Sequence, residues 1–508
     1  MTKYILAHDF GTSANKATLY TTDGDLLESN TYSYETNFFS GNCAEQNPED
    51  WWKAICGSTR AIMKKINPRD VLAVSFSGQT HGCLAIDREG RALRNSIIYC
   101  DNRSASQMNE IGKKIDEFEF YKITGSRFSA VLPVAKLMWI RDHEPDTYKR
   151  TYKAVNAKDY IVSRFTGRIV TDVNEASYTG ACDLKTGKWS EKIINISGID
   201  PDKLPEIKPS TFIAGEISAK TAEETGLAAG TPVVIGSSDG SCATIGSGAV
   251  YENSSYLCLG SSAWICLTSS KLDFDPKMDN SMGVGAIPGK YHHYGTMQSA
   301  CTVYNWLRSQ LCAKEEMEAE RLKSSVYSLM DQLAESSLPG ARGVLFHPYP
   351  MGERSPRWNS AATAAFLGID INTRREDMIR AVLEGVAYNL KCIYESLNKL
   401  VPMGEISIIG GGAKSDVWCQ ILSDVLNCRI TRPTRLDQAT SMGAAVIGGV
   451  GAGVFGGFEA VEKFIKISKV YRPNPEARER YDEMYSLFNS SYEALLGFYQ
   501  QRSLLKQS

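Results

Sequence analysis

The sequence predicts an α/β protein with mixed sheets, organised in two halves. Three observations carry that prediction. Short apolar segments that read as strands alternate with segments of helical spacing. Small-residue turns rich in Gly, Ser and Thr follow several of the strands. The strand–turn–strand pattern that opens the chain returns near its middle.

Taken in order, Tyr4–His8 reads as a strand, Asp9–Ser13 as a turn and Asn15–Tyr20 as a second strand. Thr22-Asp23-Gly24-Asp25 then supplies a hairpin turn. Asn47-Pro48-Glu49-Asp50 opens a helix, with Asn as cap, Pro at the first helical position and acids at the positive dipole end. Trp51, Ile55, Ile62 and Ile66 fall at its helical spacing. Val71–Phe76 is a nearly all-apolar strand running into Ser77-Gly78-Gln79-Thr80-His81-Gly82. Pro232–Gly236 is a strand that ends in Ser237-Ser238-Asp239-Gly240. The opening pattern returns as Tyr256–Leu259, Gly260-Ser261-Ser262 and Trp264–Leu267. Ile406–Ile409 runs into Gly410-Gly411-Gly412-Ala413-Lys414-Ser415, and a helix follows from Asp416 to about Leu426. A long polar helix closes the chain from about Pro475, with Tyr481, Tyr485, Phe488, Tyr492 and Leu495 at helical spacing.

Composition narrows the functional classes. The 508 residues include 56 basic and 58 acidic side chains, a net charge of −2, so no global basic field draws the protein to nucleic acid or to a membrane surface. With 43% hydrophobic and 22% charged residues the chain is globular rather than disordered. The 13 cysteines are scattered without CxxC spacing, and the six histidines show no zinc-ligand spacing. The opening MTKYILAHDFG has no apolar signal segment, so a cytoplasmic protein with reduced thiols is expected. The uncharged run Gln438–Phe458 contains seven glycines and is too weakly apolar for a membrane span.

Gly11–Ser13, Gly260–Ser262 and Gly410–Ser415 each follow a strand. Small residues let backbone N–H groups approach an anion and the hydroxyls add donors, which suits a polyphosphate. One such loop is ordinary turn chemistry; three point to a nucleotide. A P-loop is excluded, because no Gly-Lys pair is followed by Ser or Thr. Asp9-Phe10-Gly11 spells a protein-kinase motif but stands at the chain start with no His-Arg-Asp before it. Asp9 and Asp239 both end apolar strands beside glycine, where a carboxylate needs a cation or donors; turn capping by Asp239-Gly240 serves as well. His81 is a polyol contact or a structural histidine, and Asp101-Asn102-Arg103 a sugar-contacting wall or a solvated turn.

These segments carry a family resemblance. His8–Ser13 with Lys16-Ala17 resembles the first phosphate loop of the FGGY carbohydrate kinases. Ser77–Gly82 is similar to the Gly-Gln-Met-His-Gly stretch of their xylulokinase members. Pro133, Lys136-Leu137, Trp139-Ile140 and Asp142-His143 match the family's first pattern. Ala364, Phe366 and Gly368-Ile369, with Ala381–Gly385, match its second. Leu259–Ser262 resembles the second phosphate loop and Gly410–Ser415 the adenosine loop. Thr80 departs from the usual Met, Gly236–Gly240 is nearer the gluconokinase style, and Tyr99–Arg103 replaces Trp-Asn-Asp-x-Arg. Thr296–Ala300 leans back toward the xylulokinases.

The resemblance implies two actin-like domains (ribonuclease H-like, the sugar kinase, Hsp70 and actin fold) with a cleft between them that closes on substrate. The expected division is residues 1–245 for sugar and first phosphate loop, 246–475 for nucleotide, and a terminal helix 476–508 packed on the second domain. The implied activity is ATP-dependent phosphorylation of a small sugar, D-xylulose to D-xylulose 5-phosphate, with gluconate, ribulose or erythritol as alternatives. The resemblance casts Asp239 as the catalytic base and Asp9 as the carboxylate linked to Mg²⁺. It assigns Thr80, His81 and Asp101 to the sugar, and Gly11, Thr12, Ser13, Gly260, Ser261, Ser262, Gly411, Gly412 and Ser415 to ATP. A non-catalytic actin-like nucleotide-binding module is the competing class, and a dehydrogenase a third. A homodimer is compatible with the sequence.

Overall fold

The computed structural model describes residues 2–39 and 42–505. The chain begins with β1 (Tyr4–Phe10), β2 (Ala14–Thr21) and β3 (Leu26–Ser33), followed by α1 (Pro48–Met63) and β4 (Val71–Gly78). The first strand is longer than its apolar run, so Asp9 lies within β1 and not in the turn. In α1, Asn47 caps as the sequence predicts, its side chain accepting from the Glu49 N–H at 3.0 Å. That helix stops at Met63, and Ile66 lies beyond its end while still packing on the same core.

Farther along come α2 (Pro133–His143), α3 (Ala157–Thr166), α4 (Val173–Ser177), β5 (Ile213–Glu216), β6 (Pro232–Val234) and α5 (Asp239–Gly246). After them stand β7 (Ser255–Leu259), β8 (Ala263–Ser269), β9 (Tyr291–Met297), α6 (Cys301–Leu311) and α7 (Arg375–Leu400). The last group is β10 (Ile406–Ile409), α8 (Asp416–Leu426), β11 (Ile430–Pro433), α9 (Ala439–Gly451), β12 (Ile467–Tyr471) and α10 (Arg478–Leu505). β6 ends at Val234, two residues earlier than the apolar run. Gly236 turns there with φ +74°, and a Cβ on it would lie 1.9 Å from the Phe76 carbonyl oxygen.

Two compact units result. The first comprises Met1–Glu252, Thr268–His292 and Gln438–Ile465; the second comprises Asn253–Leu267, His293–Asp437 and Lys466–Ser508. Each unit is therefore assembled from three separate stretches of the chain. Segment 438–465 returns to the first unit because α9 is built of small residues and can cross α5 at backbone contact. A Cβ added at Gly246 would lie 1.8 Å from the Ala439 carbonyl oxygen, and one at Gly443 1.9 Å from that of Cys242. Tyr20 and Ser441 join α9 to β2 through a 2.8 Å hydrogen bond between their hydroxyls.

The sheet of the first unit runs β5-β6-β4-β1-β2-β3. β1 pairs antiparallel with β2 and parallel with β4. Leu6, Phe10, Trp51, Ile55, Phe76, Tyr160 and Phe165 are buried in its core. The second unit repeats this scheme along β9-β8-β7-β10-β11-β12: β7 pairs antiparallel with β8 and parallel with β10. The repeat read from the sequence is thus a repeat of topology. Leu257, Leu307, Leu383, Trp418 and Phe488 lie in the second core, and the Trp418 indole N–H donates to the Leu383 carbonyl at 3.1 Å. Helix α10 buries Tyr481, Met484, Phe488, Tyr492 and Tyr499 there. All 13 cysteines are free thiols, and no helix among the described residues is long and apolar enough to cross a membrane.

Candidate active site

Three parallel strand ends converge in the first unit. Asp9 and Phe10 of β1 stand opposite Ser77 and Gly78 of β4, and the two-residue strand Ser237–Ser238 pairs with the same Ser77 and Gly78. Asp9 and Asp239 therefore flank the carboxyl end of one strand, the position where open α/β sheets present ligand-binding groups.

Asp9 is held on both oxygens. Ser77 Oγ donates to Oδ1 at 3.2 Å and Thr440 Oγ1 to Oδ2 at 2.6 Å. Lys16 Nζ lies 3.7 Å away, and the carboxylate keeps about a fifth of its surface exposed. Asp239 is the first residue of α5. Ser238 caps that helix by accepting from the Ser241 N–H at 3.1 Å, and Asp239 Oδ1 accepts from the Gly240 N–H at 2.7 Å. Burial, with the Asp9 charge adding to it, pushes the Asp239 carboxyl up to about 6. A carboxylate with that value is ready to take a proton near neutral pH.

Beneath Asp239 the polar groups form a connected network. The Asn174 Oδ1 accepts from the hydroxyls of Ser237 at 3.1 Å and Ser238 at 2.5 Å, while its Nδ2 donates to the Val284 carbonyl at 2.6 Å. Asp172 accepts from Ser210 at 2.7 Å and Ser237 at 2.9 Å, and pairs with the buried Lys158 at 3.1 Å. Lys158 also donates to Asp159 at 2.7 Å. Glu175 is buried beside these charges, and that burial pushes its carboxyl well above the usual range.

The expected sugar contacts divide. Thr80 and His81 are half-buried and adjoin the end of β4. The Thr80 hydroxyl and His81 Nδ1 are 2.7 Å apart, and the His81 ring lies 5.9 Å from that of Tyr178. Asp101 differs from expectation. Its carboxylate is fully buried, accepting from the Ala44 N–H at 2.6 Å and from Arg103 Nε at 3.0 Å and Nη2 at 2.7 Å. Arg103 in turn reaches Glu45 at 2.7 Å. Buried in this way, Asp101 fixes its own loop.

Gly11 closes its turn by donating to the Ala14 carbonyl at 3.1 Å, and Tyr34 donates to the Gly11 carbonyl. The Thr12 carbonyl accepts from Gln46 Nε2 at 2.5 Å, leaving Thr12 half-buried and Ser13 exposed.

In the second unit Gly260 donates to the Ser262 carbonyl at 3.0 Å. The start of α6 lies on this loop: Ala300 N–H donates to the Ser261 carbonyl at 2.8 Å, Cys301 N–H to that of Gly260 at 2.9 Å, and Thr302 Oγ1 to Ser261 at 2.9 Å. β7 and β10 are parallel neighbours, so Gly410–Ser415 emerges beside Gly260–Ser262. A Cβ at Gly412 would lie 2.6 Å from the Leu259 side chain. Gly411 is exposed, with nothing near its Cβ position. Ser415 caps α8, its hydroxyl accepting from the Trp418 N–H at 3.1 Å, so that hydroxyl is already engaged.

Family models for the FGGY family of carbohydrate kinases match residues 4–246 with the N-terminal domain and 255–452 with the C-terminal domain. The chain belongs to the FGGY family of carbohydrate kinases. It is 31% identical over 506 residues to the gluconokinase of Bacillus licheniformis, covering 99% of this chain and 98% of that one. It is 30% identical over 492 residues to the xylulose kinase of Staphylococcus xylosus, covering 96% and 100%. Two solved structures from Lactobacillus acidophilus, a ligand-bound xylulose kinase and a gluconate kinase, each align with a TM-score of 0.91 at 27% identity. The first covers 98% of this chain and 99% of its own, the second 99% and 100%. The protein is thus a sugar kinase with the actin-like ATPase fold of the FGGY enzymes, a phosphotransferase for which the family implies ATP as co-substrate.

Sequence reading missed Thr440, Asn174, Tyr178 and the start of α6. Each belongs to a segment distant in the chain from the residue it supports, and none stands in a motif with a spacing of its own. Among the described residues no group of three or more His, Cys, Asp or Glu side chains could hold a metal ion alone. Mg²⁺ in phosphoryl-transfer sites needs only one or two carboxylates, completed by phosphate and water. The partly exposed, doubly anchored carboxylate of Asp9 fits that requirement.

Proposed function

We propose that this FGGY kinase phosphorylates an uncharged ketose, D-xylulose giving D-xylulose 5-phosphate, with Asp239 as the base. The observation that carries the substrate class is electrostatic. The cations on or against the loops around Thr80, His81 and Asp239 are committed: Arg103 to Asp101 and Glu45, Lys158 to Asp159 and Asp172, and Lys136 to two backbone carbonyls. Lys16 lies against Asp9. A sugar acid brings a carboxylate that these groups leave unpaired beside Asp9 and Asp239, at a high desolvation cost. A neutral polyol needs only hydrogen bonds, which Thr80 and His81 supply.

Phosphoryl transfer passes through a loose transition state, so positioning and charge neutralisation do most of the work. Asp239 takes the proton of the attacking hydroxyl and aligns its oxygen. Asp9 would hold Mg²⁺, which when bound would neutralise charge on the transferring phosphate. Gly11–Ser13, Gly260–Ser262, Gly411 and Gly412 are the loops that would offer backbone amides and hydroxyls to ATP, with Ser415 supporting its own loop. Asp101 acts through Arg103 and Ala44 to keep the sugar loops in place.

Calorimetric titration tests the substrate class. D-xylulose is expected to bind and gluconate to bind at least tenfold more weakly; tight gluconate binding with none for D-xylulose refutes the proposal.

A further inference from the structure

Lys136, on the first turn of α2, has a fully buried side chain. Its ammonium is paired with two backbone carbonyls and with no carboxylate among the described residues. Nζ donates to the oxygens of His81 and Ile98, each at 2.7 Å. Both carbonyls belong to loops of the candidate sugar site. His81 is itself a proposed sugar contact, and it holds a left-handed backbone, φ +59°, which a residue bearing a Cβ adopts under constraint. Ile98 opens the turn that ends at Asp101, whose N–H donates to the same carbonyl at 3.1 Å. The two loops are further tied by reciprocal bonds between Cys83 and Ile97, of 2.9 and 3.1 Å. Lys136 therefore stands at the joint between the segment that carries Thr80 and His81 and the segment that carries Asp101.

We infer that Lys136 is a positioning residue for sugar recognition: by gripping the His81 and Ile98 carbonyls it fixes the backbone turn that aims Thr80 and His81 at the substrate. Burial pulls its ammonium down to about 7. The ammonium bears that cost of burial while it donates to two loop carbonyls, which ties their backbone positions to α2. The inference rests on Thr80 and His81 being the sugar contacts.

The test compares wild type with K136M, K136Q and H81A in steady-state kinetics against D-xylulose and against ATP, with thermal melts alongside. K136M is expected to fold with a melting temperature somewhat below that of the wild type, because two buried carbonyls lose a donor. Its KM for the sugar should rise roughly 10- to 100-fold, as loss of two charge-assisted hydrogen bonds implies. The KM for ATP should stay within about twofold, because the nucleotide loops do not touch this joint. K136Q keeps two N–H donors and is expected to recover part of the loss; it also provides the reading if K136M does not fold. A sugar KM unchanged in both variants, or sugar and ATP KM rising together, overturns the inference. H81A separates this failure from that of the site itself. If H81A raises the sugar KM while the Lys136 variants do not, the positioning role is wrong. If H81A leaves it unchanged, the sugar-site assignment is wrong.

Discussion

Thr440 Oγ1 donates to Asp9 Oδ2 at 2.6 Å across 431 residues of chain. The bond explains why α9 belongs with the first unit in function as well as in packing: its second residue orients the carboxylate assigned to the metal. With Ser77 on the other oxygen, Asp9 is held without losing its exposed face. T440V removes a hydrogen bond to a charged group, an effect of about 1.5–3 kcal/mol, and is expected to lower kcat/KM for Mg–ATP about tenfold or more while T440S stays near wild type. Kinetics at fixed saturating sugar measure it, and equal losses in the two variants contradict the orienting role.

Metal dependence follows from the same carboxylate. Chelation of Mg²⁺ is expected to abolish turnover, and D9N to raise the Mg²⁺ concentration needed for half-maximal rate, while sugar binding measured by titration changes little. A D9N enzyme with wild-type Mg²⁺ dependence removes Asp9 from the metal.

Asp239 gives a pH signature. Its carboxyl is raised to about 6 in the folded protein, and a base works only when deprotonated, so kcat/KM is expected to rise with pH through an apparent value near 6 and to level off above it. The same shift acts on stability. A carboxyl raised above its unfolded value of 3.8 penalises folding at pH above about 6, and the penalty fades as pH falls toward the unfolded value. D239N is therefore expected to be inactive, to keep sugar binding, and to gain about 1–3 kcal/mol at pH 7, a gain that disappears near pH 4. Melting curves at the two pH values check the sign.

The α5–α9 crossing depends on glycine. At Gly443 a methyl group would lie 1.9 Å from the Cys242 carbonyl oxygen, and the nearest atoms are all backbone, which cannot yield as a flexible side chain would. G443A is expected to cost about 3 kcal/mol or more and to lower the melting temperature sharply. G453A, where nothing lies within 4 Å of the Cβ position, is the control for removing a glycine in this segment, although its φ of +71° carries some strain of its own.

Much of this was legible in the sequence, for physical reasons. The hairpin β1–β2 and its counterpart β7–β8 announce themselves through apolar runs broken by small-residue turns, since strand and turn chemistry is local. Asn47-Pro48 gives away the start of α1 for the same reason. The burial of Asp101 was not legible because burial is not local: an Asp-Asn-Arg triplet looks solvated until the Ala44 N–H meets the carboxylate and Glu45 meets Arg103. The placement of α9 was equally hidden. Its glycines read as a weakly apolar run, and contacts such as that of Gly443 with the Cys242 backbone give them a purpose. Thr440 and Asn174 carry no spacing signal, because their partners lie far away in the chain.

The proposed reaction transfers phosphate from ATP to an uncharged sugar at Asp239. The most direct measurement is a coupled ADP-release assay with ATP and Mg²⁺ across D-xylulose, L-xylulose, D-ribulose, L-ribulose, gluconate, glycerol and erythritol, run on wild type and D239N. The proposed role of Asp239 implies strong turnover on D-xylulose, little on gluconate, and sugar-dependent turnover in D239N reduced at least 1,000-fold, about 4 kcal/mol of transition-state stabilisation. Turnover on gluconate alone, or a D239N enzyme that keeps its rate, would contradict it.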